Sequence, residues 1–378
     1  MKFTCTQENL REALGLVSHT AAKNTTLPIL NNVLISAQNG VISFSTTNLE
    51  LGISCVTRGR VEQEGSFTVQ AKLLTDFINL VSAETINLEL EGDVMHVHGQ
   101  RSQTAIKGSP SEEFPMIPEI KKENAFTCEP KELLNALSQV LFSTSHSETR
   151  PEISGVYFKF ENGSLIMAAT DSYRLAEKSI KCSGVESKEV IIPSRTLGEV
   201  CRVLQELGDE VAEQEMVEIY FQDNQVQIHF KNTEIISRLI EGTYPAYKQI
   251  IPQTSRTNAV VEVSSFLKAT KTASLFSKLG VFDVRIQIDN GLLTVASDNA
   301  QLGQSKVDIE ATTTGEINTI VLNYRYLVDG LQNISSTYVQ FSMTDEASPC
   351  VMKPLEQLES GEAVVRNDYL YIIMPIKQ

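Results

Sequence analysis

The pattern that decides the fold is an apolar strand, a basic residue and an amphipathic helix, which the chain contains three times. The copies are Phe67-Thr-Val-Gln-Ala-Lys72 before Leu73–Val81, Val190-Ile-Ile-Pro-Ser-Arg195 before Thr196–Leu204, and Ile320-Val-Leu-Asn-Tyr-Arg325 before Tyr326–Ile334. Their basic residues lie 123 and 130 positions apart in the numbering, whereas solenoid repeats span about 20–50 residues. A period of that size is a whole domain, so the sequence predicts one domain written three times.

Each copy carries further matching segments. An opening strand and helix are predicted at Phe3–Leu14, Phe126–Leu137 and Val260–Thr270. Alternating strands then flank Asn-Gly pairs at 39–40, 162–163 and 290–291, and this dipeptide is the strongest short signal for a β-hairpin. Polar corners follow at Thr47–Leu51, Thr170–Leu175 and Ser297–Leu302. The prediction is an α+β fold in which each repeat combines antiparallel strands with two short helices.

Composition describes an ordinary globular protein. The 378 residues are 42% hydrophobic and 21% charged, which suffices for two or three domains with real cores. The N-terminus lacks a signal-peptide pattern and no apolar run approaches the roughly 18 residues of a membrane helix. The six scattered cysteines include no CxxC pair, so we expect reduced thiols and a cytoplasmic location without membrane contact.

Motifs for catalysis are missing from the sequence. No GxGxxG, GxxxxGK[ST] or GxSxG occurs, and His96 and His98 lack a third metal ligand at a recognisable spacing. Ser145–Ser147 is interpreted as a polar loop, and Asp171 as a turn-forming side chain because Asn48 occupies the matching position of the first repeat. We therefore predict a non-enzyme without cofactor or metal. Two alternatives stay open, namely a hydrolase using Asp171 or the histidine pair, and a pure scaffold.

Four motifs in one order carry a family resemblance: Leu27–Leu30, Thr170–Ala176, Leu239–Tyr247 and Tyr369–Ile376. Together they resemble the bacterial sliding clamp family, the beta subunit of DNA polymerase III. The resemblance covers the whole chain and implies three clamp domains with sheets outside and helices inside. The domains are expected at residues 1–122, 123–253 and 254–378. It further implies a head-to-tail homodimer that slides on duplex DNA and tethers the polymerase alpha subunit, the clamp loader and other proteins carrying a clamp-binding motif.

Simple geometry agrees with a dimeric ring. A unit of about 125 residues has a diameter of roughly 35 Å, and six such units in a circle leave a hole of roughly 30 Å. A duplex about 20 Å wide fits that hole, whereas three units leave almost no opening. Three repeats per chain therefore require two chains. The net charge of −15 argues against tight binding by bulk attraction, but weak contacts inside a closed ring allow sliding.

The predicted DNA contacts are basic residues on or beside the short helices and in neighbouring loops. They are Arg11, Lys23, Lys72, Lys131, Arg150, Arg195, Arg202, Lys268, Lys271 and Arg325. Acidic Glu8, Asp76, Glu132 and Glu199 share the same helices, so the bore is not expected to be uniformly positive. The chain departs from close relatives in two loops, with Lys23-Asn24 where an arginine is usual and Pro151-Glu152 where an aromatic pair is frequent.

The resemblance also implies a peptide pocket in the second and third repeats. Its expected residues are Ile153, Thr170, Ser172, Tyr173, Arg174, Leu175, Pro245, Ile250, Asn323, Tyr326, Ile372, Met374, Pro375 and Ile376. Aliphatic walls, an adaptable methionine and a few polar groups suit a short peptide. Tyr173 and Gln249 stand where relatives often have histidine and arginine, which bears on the preferred peptide. Ring closure is expected to pair Thr104 and Ile106 with Leu275 and Phe276 of the partner.

Overall fold

The computed structural model describes residues 1–21, 27–147, 149–184, 186–207, 215–357 and 363–377. The chain divides into two compact units. Unit 1 comprises Met1–Lys131, Ser183–Val185 and Gly198–Leu239, and unit 2 comprises Glu132–Cys182, Glu186–Leu197 and Ile240–Gln378.

Six α-helices occur in the described part of the chain, two in each predicted repeat. They are α1 (Gln7–Ser18), α2 (Ala71–Leu80), α3 (Pro130–Leu141), α4 (Ser194–Leu207), α5 (Val263–Ser274) and α6 (Tyr324–Gln332). Thr6 caps α1 by accepting the backbone N–H of Asn9, and Asn323 caps α6 by accepting that of Arg325. One detail of the sequence prediction is wrong. The strands end before the basic residues, so Lys72, Arg195 and Arg325 each lie in the first turn of a helix.

The described residues form 27 strands. In chain order they are β1 (Lys2–Thr6), β2 (Asn32–Gln38), β3 (Val41–Thr47), β4 (Leu51–Thr57), β5 (Arg60–Gln63), β6 (Gly65–Gln70), β7 (Thr85–Glu91), β8 (Val94–His98), β9 (Gln103–Pro110), β10 (Phe126–Cys128), β11 (Gly155–Glu161), β12 (Ser164–Thr170), β13 (Arg174–Lys181), β14 (Lys188–Pro193), β15 (Val217–Gln222), β16 (Gln225–Phe230), β17 (Thr233–Arg238), β18 (Thr257–Glu262), β19 (Asp283–Asp289), β20 (Leu292–Asn299), β21 (Gly303–Glu310), β22 (Thr312–Gly315), β23 (Asn318–Asn323), β24 (Tyr338–Met343), β25 (Cys350–Gln357), β26 (Ala363–Val365) and β27 (Tyr369–Ile373).

These strands pair antiparallel in three sheets, as the α+β prediction required. Unit 1 holds one sheet, in the order β10-β15-β16-β17-β4-β3-β2-β6-β9-β8-β7-β1-β5. Unit 2 holds a sheet in the order β14-β11-β12-β13-β27-β25-β24-β18-β22, with β26 beside β25, and a smaller sheet in the order β21-β20-β19-β23. Two predicted hairpin turns have positive φ at both central residues, Asn39-Gly40 and Asn162-Gly163, as a type I′ turn requires.

Sheet pairing divides the predicted second repeat between the two units. In unit 1, β17 pairs with β4 of the first repeat, from Thr233–Cys55 to Ser237–Leu51. In unit 2, β13 pairs with β27 of the third repeat, from Arg174–Ile373 to Lys178–Tyr369. The compact units therefore do not follow the expected boundaries after residues 122 and 253, which stay predictions. Each half of the second repeat continues a neighbouring repeat's sheet.

The structure also places the residues considered for chemistry. His96 and His98 stack on one side of β8 with ring centroids 6.1 Å apart, and the Nε2 of His96 lies 3.7 Å from Glu91. No group of three or more potential metal ligands comes together among the described residues. None of the described helices combines the length and apolar character needed to cross a membrane.

Candidate functional site

The turn between β12 and β13 is a rigid corner built by side chains. One carboxylate oxygen of Asp171 accepts the backbone N–H groups of Tyr173 and Arg174, at 2.9 and 3.0 Å. The hydroxyl of Thr170 accepts the N–H of Ser172 and donates to the carbonyl of Arg174. Ser172 adopts φ of 80°, in the left-handed region. Asp171 is therefore a turn-forming residue, as its amide counterpart Asn48 indicated.

Arg174 ties this corner to the rest of unit 2. Its guanidinium donates to the second oxygen of Asp171 at 3.0 Å, to Asp329 on α6 at 2.5 Å and to the carbonyl of Phe142 at 2.7 Å. It also lies 4.7 Å from the ring centre of Tyr326. Burial alone would lower the pKa of Arg174, but nearby Tyr371, Asp329 and Asp171 raise it above its ordinary value. The corner is thus held in place independently of any ligand.

Beside the corner lies a buried apolar cluster of unit 2. Its buried members are Ile153, Ala168, Leu175, Ile191, Tyr244, Tyr247, Val351, Leu370 and Ile372. The predicted pocket residues Ile153, Leu175 and Ile372 form part of this floor. Sequence reasoning missed Tyr244 and Tyr247, although both lie in the quoted motif Leu239–Tyr247. The two aromatic residues of Tyr244-Pro-Ala-Tyr247 were the only signal for them in the sequence.

Tyr247 is fixed within this floor. Its hydroxyl donates to Glu177 at 2.5 Å, and burial together with that carboxylate raises its pKa well above the ordinary value. Tyr157 stacks on Tyr244 with ring centroids 5.2 Å apart. The floor is therefore a preformed aromatic and aliphatic surface.

The C-terminal segment borders the corner. The N–H of Met374 donates to the carbonyl of Tyr173 at 2.8 Å, and that of Ile376 donates to Val321 at 2.8 Å. The side chains of Met374, Pro375 and Ile376 are half-buried. Partly exposed apolar groups at the chain terminus thus lie next to the rigid corner. We call the buried cluster, the corner and this C-terminal segment the apolar site.

Several predicted pocket residues have defined surroundings at the edge of the apolar site. Tyr173 is 63% exposed and stacks on Tyr326 with ring centroids 6.4 Å apart. Ile250 is exposed and Pro245 is half-buried. The side-chain oxygen of Asn323 caps α6 by accepting the backbone N–H of Arg325.

The predicted DNA contacts share one local position. Lys72, Lys131, Arg195 and Arg325 are each the second residue of a helix, and all four are exposed. Cations are disfavoured at helix N-termini, where the backbone dipole is positive. Lys72 pairs with Asp76 at 2.8 Å, and the guanidinium of Arg325 lies 3.6 Å from the ring centre of Phe282. Arg11 on α1 and Lys268 and Lys271 on α5 are exposed as well.

Three other predicted DNA contacts behave differently. Arg202 is largely buried and donates to the carbonyls of Gly15 and Leu16 at the end of α1, as well as to Glu199 and Glu206. Its donors are engaged within the protein. Arg150 is exposed but bonds Glu152 and Ser172. Lys23 lies outside the described residues.

The predicted seam residues lie on the strand β9 and directly after the helix α5. On β9, residues Gln103–Lys107 pair only with β8, which leaves their other edge without a ladder partner in the described chain. Ile106 is only 3% exposed and Thr104 is half-buried, so their side chains belong largely to unit 1 itself. In unit 2, β21 forms a sheet edge, and Leu275 nearby in the third repeat is 72% exposed while Phe276 is half-buried. Leu279 is 97% exposed and Leu302 is 63% exposed, and the sequence analysis did not include either residue in the seam.

Comparison with known proteins gives one consistent family. Models of the DNA polymerase III beta subunit match along the chain, the N-terminal domain at residues 1–118, the central domain at 127–246 and the C-terminal domain at 248–366. The beta sliding clamp of Synechococcus elongatus is 29% identical over 385 residues, covering 100% of this chain and 99% of the relative. That of Bacillus subtilis is 28% identical and covers 100% of both chains.

Solved structures agree in fold. The DNA polymerase sliding clamp of Bacillus subtilis superposes with a TM-score of 0.91 at 26% identity, covering 100% of this chain and 99% of that one. A Pseudomonas aeruginosa sliding clamp bound to griselimycin gives a TM-score of 0.91 at 23% identity, with both chains fully covered. The predicted architecture of three clamp domains with antiparallel sheets and few helices is confirmed.

Proposed function

The chain belongs to the DNA polymerase III beta subunit family, and from that premise we propose that it is the processivity factor of a replicative DNA polymerase. Two chains joined head to tail form a ring of six domains around duplex DNA. The ring tethers the polymerase alpha subunit, the clamp loader and other proteins with a clamp-binding motif. The observation that carries the proposal is the apolar site, a rigid corner beside a preformed apolar floor. It suits a short peptide, and it contains no group poised for chemistry.

The absence of catalysis in this proposal follows from how Asp171 is used. One of its oxygens accepts two backbone N–H groups and the other accepts the guanidinium of Arg174. A carboxylate engaged in this way is a poor general base, since its lone pairs are already occupied. The stacked His96 and His98 lie on a strand with no further ligand group gathered around them in the described chain. A hydrolase using these residues is therefore disfavoured.

DNA is held by enclosure in this proposal. The net charge of −15 opposes tight adhesion, while the cations at the starts of α2, α3, α4 and α6 offer separated phosphate contacts. Arg11, Lys268, Lys271 and the loop residue Arg150 add to this set, whereas Arg202 is left out because its donors bind α1. Such contacts are weak and independent of sequence, so the ring slides. Working on chromosomal DNA places the protein in the cytoplasm.

The proposed seam joins the β9 edge of one chain to the β21 edge of its partner. Both edges expose backbone groups to pairing, and unpaired edges are usually covered or paired in native proteins. Exposed Leu275, Leu279 and Leu302 with half-buried Phe276 provide an apolar patch beside β21. Such a patch is a liability in a monomer and is expected in an interface.

The decisive experiment loads the protein on circular DNA with a clamp loader. We expect the loaded protein to remain bound in high salt and to be released when a nuclease linearises the circle. Retention after linearisation, or loading no better than that of a monomeric variant, would overturn the ring. The monomeric variant is Leu275→Asp/Phe276→Asp, which should sediment near 41.8 kDa, while the unchanged protein should give about twice that mass.

A second experiment tests the apolar site. The double variant Met374→Ala/Ile376→Ala should lose binding of a polymerase-derived peptide by at least tenfold, since both side chains border the corner, and should remain dimeric. Ile317→Ala is the matched control, because Ile317 is equally apolar and 62% exposed but lies outside the apolar site. Unchanged peptide affinity in the double variant would reject the site and leave the ring proposal intact.

A further inference from the structure

Unit 1 contains a cavity that plays no part in the proposed ring, seam or peptide site. Its volume is about 540 Å³, and it lies under the segment Phe114–Ile120, which we call the strap. On the sheet side it is lined by Leu34, Ser45, Ser54, Gln227, Glu234 and Ile236. Thr46, next to Ser45, points the other way and donates to Val17 of α1. Since side chains alternate along a strand, the cavity lies on the sheet face opposite α1.

Apolar side chains of the strap pack against the sheet, whereas several of its backbone N–H groups have no acceptor among the described residues. Ile117 packs so closely over Gly52 that a Cβ there would lie 3.0 Å from its side chain. Ile120 is buried against Tyr220 and Ile236. Among the described residues, no partner accepts the backbone N–H groups at positions 116, 117, 119 and 120. The strap is therefore an extended edge without a ladder.

The side chain of Gln227 lines the cavity. Gln227 is 1% exposed, yet its amide forms no hydrogen bond with any described residue. The neighbouring hydroxyls of Ser45 and Ser54 bond each other at 2.8 Å and do not supply one. The amide is thus available to a group that enters the cavity.

The charged residues in and beside the strap favour a positively charged partner. Residues 111–123 contain four exposed glutamates, at 112, 113, 119 and 123, against two lysines. One of the lysines, Lys122, is already paired with Glu234 at 2.6 Å. Met116 at the centre of the strap is 93% exposed, an adaptable apolar side chain at the mouth of the cavity. A partner therefore meets an acidic stretch of chain over a cavity that is lined by both apolar and polar side chains.

We propose that the strap and its cavity bind an extended segment of a partner protein, with one large apolar residue flanked by lysine or arginine. The partner backbone pairs with the free N–H groups of the strap, the mode by which extended peptides add to exposed edges. Its apolar side chain enters between Leu34 and Ile236, and its main chain bonds the amide of Gln227. The flanking cations face the glutamates of the acidic stretch.

The test uses the full-length dimer and defined probes, measured by fluorescence anisotropy. The probe is a labelled peptide in which one leucine lies between two valines and two outer lysines. Its controls replace the lysines by glutamates or the leucine by serine. We expect saturable binding of the basic peptide alone, weakened at least fivefold by 0.5 M salt. No saturable binding, or equal binding of the acidic peptide, would overturn the proposal.

The decisive variant is Gln227→Leu, which keeps the volume and removes the amide. We expect unchanged or slightly raised thermal stability with at least fivefold weaker peptide binding, a combination that a merely structural role would not give. Leu34→Asp should abolish binding while Met374→Ala/Ile376→Ala, in the apolar site, should leave it unchanged. If Gln227→Leu and Leu34→Asp bind like the unchanged protein, or if the apolar-site variant loses binding, the strap is not the site. None of these outcomes bears on ring formation.

Discussion

The corners of the first and second repeats share one backbone and differ in what they hold. In the first corner, Asn48 accepts the N–H groups of Glu50 and Leu51, as Asp171 does for Tyr173 and Arg174 in the second. The threonines before them make equivalent bonds, and the third corner residue has φ of 76° in the first and 80° in the second. The repeat thus conserves a turn down to individual hydrogen bonds.

The difference lies in two side chains, Asn48 against Asp171 and Leu51 against Arg174. The second oxygen of Asp171 accepts Arg174, whereas the matching nitrogen of Asn48 is buried without a hydrogen-bond partner in the described chain. Exchanging an amide for a carboxylate turns a structural corner into an anchor for a guanidinium. That anchor joins α6 to the corner through Asp329. Repetition supplies the scaffold, and two exchanges, Asp171 in place of Asn48 and Arg174 in place of Leu51, make one of its copies part of the proposed peptide site.

The largest effect on this comparison should come from Arg174→Ala. Removing one partner of a buried ion pair costs about 3–5 kcal/mol, so the thermal midpoint of unit 2 should fall by roughly 10 °C. Binding of a polymerase peptide should weaken with it. Arg150→Ala is the matched control, because Arg150 bonds the same corner from an exposed position and should cost under about 1 kcal/mol. Calorimetry showing equal losses for both would contradict the anchoring role.

Exchanging the two key residues should give a smaller effect. Asp171→Asn keeps the turn bonds but loses the charge facing Arg174, and we expect a loss of about 1–3 kcal/mol with weaker peptide binding. Asn48→Asp places a carboxylate oxygen at a buried position without a cation and should cost about 1–3 kcal/mol, but without effect on peptide binding. Urea denaturation and anisotropy would measure both. Identical effects of the two exchanges would mean that the corners do not differ in function.

The smallest effect should come from the left-handed residues themselves. Leu49→Gly and Ser172→Gly relieve a positive φ, and each should stabilise its corner by about 0.5–1 kcal/mol. Glu50→Gly is the control, since it should destabilise the first corner by a similar amount. Thermal denaturation would show whether the stability changes at Leu49 and Glu50 have opposite signs. A loss at both Leu49 and Ser172 would show that their side chains matter more than the backbone strain.

Local features of this fold could be read from the sequence because their causes are local. The hairpin at Asn39-Gly40, the helix at Pro130 and the turn role of Asp171 each depend on residues a few positions apart. The bond from Arg174 to Asp329 spans 155 positions and that from Arg202 to Gly15 spans 187. Nothing in one sequence marks such pairs. Arg202 was therefore assigned to DNA as a basic residue on a short helix, although its guanidinium caps α1.

The apolar site was predicted through resemblance, and its aromatic floor was missed for a related reason. Tyr244 and Tyr247 are buried only because strands from the second and third repeats meet beneath them. The strap shows the same limit. Prolines at 115 and 118 favour an extended, non-helical segment, but the cavity under it depends on how Gly52 and Ile236 come together, which no local pattern reveals.

The unbroken ladders between repeats have a mechanical consequence. β17 and β4 are joined by five residue pairs, as are β13 and β27, so bending at either joint must strain or break main-chain hydrogen bonds. Each of these hydrogen bonds makes a net contribution of about 0.5–1.5 kcal/mol to stability, and bending would have to break several of them at once. A motor that opens the proposed ring would therefore meet the least resistance at the seams between the two chains. Loading onto DNA should then leave the joints within each chain intact and open a seam between the chains.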